Sequence, residues 1–234
     1  MHLWKTLVLM IFLAGLTPLG ASDSSPSPDT AIPSNYEIGE HTLSPNGSFA
    51  ILFPKRDSAS SNGEFPPNLL VGLQPYRELS RFEPGVPLDA TTSLNVLWDS
   101  NERLAVWYFR NWGPVALYDV HIDGAGAQTS PDLLTFALVP LRADLEERLL
   151  TPYPGESPTI LFVAQEGIED PEPWLFFQKN GLTFHLHADN KPNMAPGPHW
   201  SANLTATWNS GHSRLENIQI EKIPVSIRAT DQLP

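Results

Sequence analysis

The stretch SLNVLWDSNERLAVWYFRNWGPVALYDVHIDG, Ser93 to Gly124, decides the fold class. Three apolar runs are separated by two polar turns, Ser100-Asn101-Glu102 and Asn111-Trp112-Gly113, the pattern of a three-stranded antiparallel meander. Side chains alternate along a strand. Leu104, Val106 and Tyr108 therefore share one face of the middle run, and Ala105, Trp107 and Phe109 share the other. Both faces are apolar. Such a strand needs cover on both sides, so other elements must pack onto it from above and below.

Toward the N-terminus, Pro45-Asn46-Gly47 supplies turn chemistry and Ser48 to Phe53 reads as the strand that follows. A polar insert, Lys55 to Pro67, leads into Asn68 to Leu73 and then Glu78 to Phe82. Two units look alike. A Ser44-Pro45-Asn46-Gly47 turn precedes SFAILFP, and a Trp98-Asp99-Ser100-Asn101-Glu102 turn precedes RLAVWYF. Here the chain, over Glu40 to Asp123, resembles the repeat units of TolB-like and WD-repeat-like β-propellers. Their hallmark is a Trp-Ser-Pro-Asp-Gly-like turn before an apolar strand. The first turn matches well; the second has Asp99 in place of Ser and lacks the proline and glycine. Two units cannot close a ring, so the resemblance implies a propeller-like fragment or an open sheet with blade geometry.

Toward the C-terminus, Ser130-Pro131-Asp132 reads as a helix start, with Ser130 as the cap. Leu134, Leu138, Leu141, Leu145 and Leu149 form one helical stripe across Pro140, which predicts a single kinked helix over about 131–150. Arg142–Glu146 and Asp144–Arg148 read as ion pairs on its outer face. Thr151 to Gly155 ends it. The last third alternates again. Asn180-Gly181 joins Trp174–Phe177 to Leu182–Leu186, with both turn residues expected at positive φ. Trp200, Ala202, Leu204, Ala206 and Trp208 point inward, with Ile218 and Ile220 on the inner side of a partner strand, Leu215 to Ile223. Ile160 to Ala164 offers a further strand.

The sharpest chemical candidate is His185-Leu186-His187-Ala188-Asp189. On a strand, His185, His187 and Asp189 share a face, and two imidazoles with a carboxylate are competent zinc ligands. The string is similar to the opening of the metallo-β-lactamase motif, but Asn190 replaces a further histidine and the chain ends 44 residues later. The competing reading is a polar strand face opposite Leu182, Phe184 and Leu186. His199 and His212 could complete a site if their loops fold back. No Gly-x-Ser-x-Gly elbow or complete dinucleotide loop is present. Trp112, in the Asn-Trp-Gly turn, is the candidate contact residue for a binding partner.

The chain contains no cysteine, which removes disulfides, zinc–thiolate sites and thiol chemistry. Residues 1–21 read as a secretory signal peptide: Lys5, an apolar core from Leu7 to Leu16, and Ala21 before the cut. The apolar core is shorter than the ~20 residues of a spanning helix, and no later segment could span. The formal charge of −12 becomes −13 when Lys5 leaves with the leader. Such a chain repels phosphate backbones, so no nucleic-acid partner is expected.

The expectation is a mainly β protein with one helix. Its parts are a disordered tether (22–35), propeller-like units (36–127), the helix region (128–155), a C-terminal antiparallel sheet (156–225) and a frayed tail (226–234). The function expected is that of a secreted or periplasmic, non-catalytic binding or scaffolding module, without cofactor, whose partner is a protein or envelope component. The alternative is a zinc-dependent hydrolase using His185, His187 and Asp189.

Overall fold

Apolar alternation in this chain is spent on three antiparallel sheets stacked around the Ser93–Gly124 stretch. The computed structural model describes residues 32–88, 90–110, 113–148, 160–163, 174–190 and 198–227. The leader, most of the tether, Trp112, the end of the helical stripe at Leu149, the turn at 151–155 and the tail beyond Ile227 lie outside them.

The first sheet is β1 (Tyr36–Ile38), β2 (Phe49–Pro54), β3 (Asn68–Leu73) and β4 (Tyr76–Phe82), neighbours in chain order. The second repeats that plan with β5 (Thr92–Trp98), β6 (Arg103–Arg110), β7 (Gly113–Ile122) and β8 (Ala127–Thr129). One helix follows, α1 (Leu133–Arg148). The third sheet runs β10 (Leu175–Gln178), β11 (Gly181–Asp189), β12 (Pro198–Asn209), β13 (Arg214–Ile227). A short β9 (Leu161–Val163) pairs with the far end of β11. The described residues are thus mainly β with one helix, and their sheets close no propeller.

The middle sheet carries a core on each face. Leu104, Val106, Tyr108, Val120 and Leu94 pack with Ile51, Phe53, Leu70 and Phe82 of the first sheet. Ala105 and Leu117 pack with the helix and with Phe184, Leu204, Trp200 and Trp208 of the third sheet. Trp107 departs from the expectation of full burial. It is only partly covered, its ring edge-on to Trp174 at 5.5 Å.

The two look-alike turns sit together. Asn46 N donates to Asn101 Oδ1 at 3.0 Å, Trp98 Nε1 donates to the Thr42 carbonyl at 3.1 Å, and the Phe49 and Trp98 rings stack. Within the first turn Gly47 takes φ +70°, a conformation that favours glycine, and its N–H donates to Ser44 O. The end of the expected tether is also held: Ile32 packs on the outer core of the first sheet, and Lys55 N donates to Asn35 O.

Several local expectations are corrected. The helix begins after Asp132, whose Oδ1 accepts from Leu134 N; Ser130 instead spends its hydroxyl on Asp119 N. Buried Leu133, Leu134, Ala137, Leu141 and Leu145 form its inner face, and it continues through Pro140 as one element. Asp144 lies on that inner face, so its pair with Arg148 is enclosed rather than external. In the β10–β11 hairpin the loop is Lys179-Asn180, because Gln178 pairs with Gly181. Only Gly181 has positive φ, +151°, and a Cβ there would lie 2.0 Å from Trp208 O. In β13 Ile218 falls at a bulge between the Thr205 and Thr207 pairings and is 44% exposed, while Ile220 stays against the core. Pro224 does not end β13, and pairing runs on to Ile227; β13 is an edge strand at a register shift, where proline is tolerated.

Candidate functional site

The inner face of the third sheet is consumed by the core, so alternation places a polar stripe on its outer face. In β11 the stripe is Thr183, His185, His187 and Asp189; in β12 it is Ser201, Asn203, Thr205 and Thr207. Antiparallel register sets these residues directly opposite one another, and they bond in pairs. Thr183 and Thr207 hydroxyls meet at 2.9 Å. His185 Nδ1 lies 2.8 Å from Thr205 Oγ1, and His187 Nδ1 lies 2.8 Å from Asn203 Oδ1. Asn203 Nδ2 donates to Glu221 of β13 at 2.9 Å, so its oxygen accepts and His187 donates. At the far end Asp189 Oδ2 and His199 Nε2 approach to 2.6 Å.

Beside the Thr183–His185 end of this ladder lies an open groove of about 630 Å³. Phe176 and Gln178 come from β10, Thr183 and His185 from β11, Thr205 and Thr207 from β12, and Asn217 and Gln219 from β13. The β13 bulge shapes its wall. Glu216 pairs opposite Thr207 and Gln219 opposite Thr205, which leaves two residues, Asn217 and Ile218, opposite Ala206, with Asn217 at φ +53°, a conformation Asn tolerates. The Phe176 ring stacks on the His185 imidazole at 5.5 Å and 24°. His185 Nε2 is enclosed and has no hydrogen-bond partner. An unpaired buried polar atom costs roughly 1–3 kcal/mol, so the fold carries this imidazole nitrogen as a net cost. Among the described residues no carboxylate, ammonium or guanidinium lines the groove. Its polar groups are hydroxyls, carboxamides and one imidazole, which both donate and accept.

A second, charged cavity of about 320 Å³ opens beside it, lined by Arg103, Lys179, Asn209 and Glu216 among others. Arg103 and Glu216 are engaged within the protein. Arg103 forks onto Asp119 at 2.9 and 3.0 Å and lies over the Phe177 ring. Hydrogen bonds from His212, Asn209 and Arg214 lower the Glu216 carboxyl to about 2.

The proposed zinc ligands share a face, as alternation requires, but they do not converge. His185, His187 and Asp189 each bond to a different partner across the ladder. Among the described residues no three His, Cys, Asp or Glu side chains gather as metal ligands would, so the set does not fit zinc's tetrahedral demand. His199 does reach Asp189. His212 lies beyond the opposite end of β12 and bonds Glu216 instead. Trp112 lies outside the described residues. Setting Trp200 to Trp208 inward at alternate positions leaves Asn203, Thr205 and Thr207 outward, but the sequence does not join them to His185. The signal was present in the matched alternation of β11 and β12; the register that makes the two stripes one surface was not.

The chain matches no known family, no curated protein and no solved structure.

Proposed function

We propose that this protein is an exported, non-catalytic binding module of the cell envelope, with the outer-face groove of the third sheet as its contact surface. The carrying observation is that groove: side chains from four adjacent strands line one concave surface of ligand-site size, in which polar groups are set among apolar ones. Residues on paired strands are held in fixed register, which suits recognition more than rearrangement. The leader-like stretch Met1–Ala21 supports export. The likeness of the first two units to propeller repeats supports a scaffold that presents surfaces, and is an analogy of fold alone.

The test immobilises the chain beginning at Ser22 and exposes it to a detergent-free envelope extract. Gln219 is exposed, so Gln219→Arg alters the groove without touching the core. A component retained by the unaltered chain and lost by the variant is the expected result. Equal retention on both, or none on either, would reject the groove as the contact surface.

A further inference from the structure

We infer that the groove accepts a neutral, hydroxyl-rich ligand, a stretch of polysaccharide laid across the strands. This rests on the groove being the contact face and adds the chemistry of what it holds. Among the described residues the lining carries no formal charge and offers the exposed carboxamides of Gln178, Asn217 and Gln219, beside half-buried Thr205, whose hydroxyl meets His185. Groups that both donate and accept match sugar hydroxyls, which do the same. The ring of Phe176, half-buried and stacked on His185, adds an apolar surface for the carbon face of a sugar ring. The His185 imidazole, stacked on Phe176, lines the same groove, so it reports on a ligand that lies there.

The same observations weigh against other ligands. A neutral lining in a chain of net charge −12 gives an anionic ligand nothing to pair with. A peptide gains most by adding a strand to a sheet edge. Here the groove opens on the face of the sheet, across β10 to β13, and its lining is made of side chains rather than of the free edge of β13.

The experiment titrates the mature chain with cellohexaose, maltohexaose, chitohexaose and xylohexaose, followed by calorimetry and by NMR shifts of the His185 imidazole and the Gln219 carboxamide. At least one sugar should bind and move both signals. Phe176→Ala and Gln219→Ala should each weaken that binding by about tenfold or more. If Phe176→Ala does not fold, the exposed Gln219 variant still decides. The inference fails if no sugar moves either signal at millimolar concentration, or if bound sugar is indifferent to Gln219→Ala. It also fails if a neutral Thr/Asn-rich peptide moves the signals and no sugar does. Groove-dependent capture of a protein from the envelope extract, with no sugar bound, would overturn the polysaccharide assignment while leaving the binding-module reading intact.

Discussion

Asp144 places a carboxylate where the helix meets the third sheet, with its side chain only 4% exposed. Its Oδ2 accepts from Trp200 Nε1 at 2.9 Å and from Arg148, while Oδ1 faces Lys222 Nζ at 3.3 Å. Arg148 also donates to the carbonyls of Ser201 and Ile223, so one ion pair ties α1 to β12 and β13. Burial alone would raise the Asp144 pKa. The hydrogen bonds from Trp200 and Arg148, with the Lys222 ammonium close by, outweigh burial and hold it below the ordinary Asp value. A depressed folded pKa stabilises above the unfolded value of about 3.9, and that stabilisation is lost as pH falls through the folded value. The denaturation midpoint should therefore drop as pH is lowered below about 4, and drop less in Asp144→Asn. At neutral pH the same variant should lose roughly 3–5 kcal/mol, because Arg148 is left without its counter-charge. Equal acid sensitivity in the two proteins would remove Asp144 from this role. Tyr108 poses the opposite case. Its ring is 2% exposed, its hydroxyl has no partner, and burial pushes its pKa far above the ordinary tyrosine value. Tyr108→Phe keeps the ring and removes the unpaired group, so stability should hold or rise by about 1 kcal/mol. A loss of that size instead would reveal a hydrogen bond to the hydroxyl.

Strand β6 tests the claim that the central meander is covered on both sides. Val106 is fully enclosed between the first and second sheets, so Val106→Ala should cost roughly 1–3 kcal/mol in a denaturant titration. Trp107 faces the other way and is partly exposed, so Trp107→Ala should cost about 2 kcal/mol, below the roughly 3–5 of a fully enclosed ring. About 1 kcal/mol of that should vanish when Trp174 is already Ala, since the two rings meet edge to face. A neutral Val106→Ala would mean that the first sheet does not seal this face. Strands of six or more residues, such as β6, β11 and β12, were legible because period-two alternation is long enough there to separate from chance. Strands β1 and β8 have three residues each and exist through their pairing with β2 and β7, which no local pattern announces. At the helix start two good caps compete, Ser130 and Asp132. The choice falls to Asp132 because β7 claims the Ser130 hydroxyl through Asp119 N. The candidate site was legible by half. Alternation exposes His185 and Thr205, whereas the register and the bulge that assemble the groove with Asn217 and Gln219 are tertiary facts.

At the scale of the whole molecule, the middle sheet is the shared wall of two cores, and that arrangement sets how the protein should come apart. Leu104 and Val106 of β6 belong to the cluster with the first sheet; Ala105, between them on β6, and Leu117 of β7 belong to the cluster with the helix and the third sheet. Loss of the middle sheet therefore strips cover from both neighbours at once. Leu104 is fully buried, and Leu104→Ala should cost roughly 2–5 kcal/mol. A typical domain has about 5–15 kcal/mol to lose, so native-state hydrogen exchange can resolve such a change. If the layers unfold together, Leu104→Ala should speed amide exchange in β2 and β3, which it touches through the first cluster, and by a similar factor in β11 and β12, which it does not touch. Fragment-resolved exchange by mass spectrometry reads both regions in one experiment. Faster exchange in β2 and β3 with unchanged protection in β11 and β12 would show the third sheet unfolding as its own unit. The groove would then stand on a platform that needs only the helix and the third sheet to stay intact, and the central meander would be the core of the first two sheets alone.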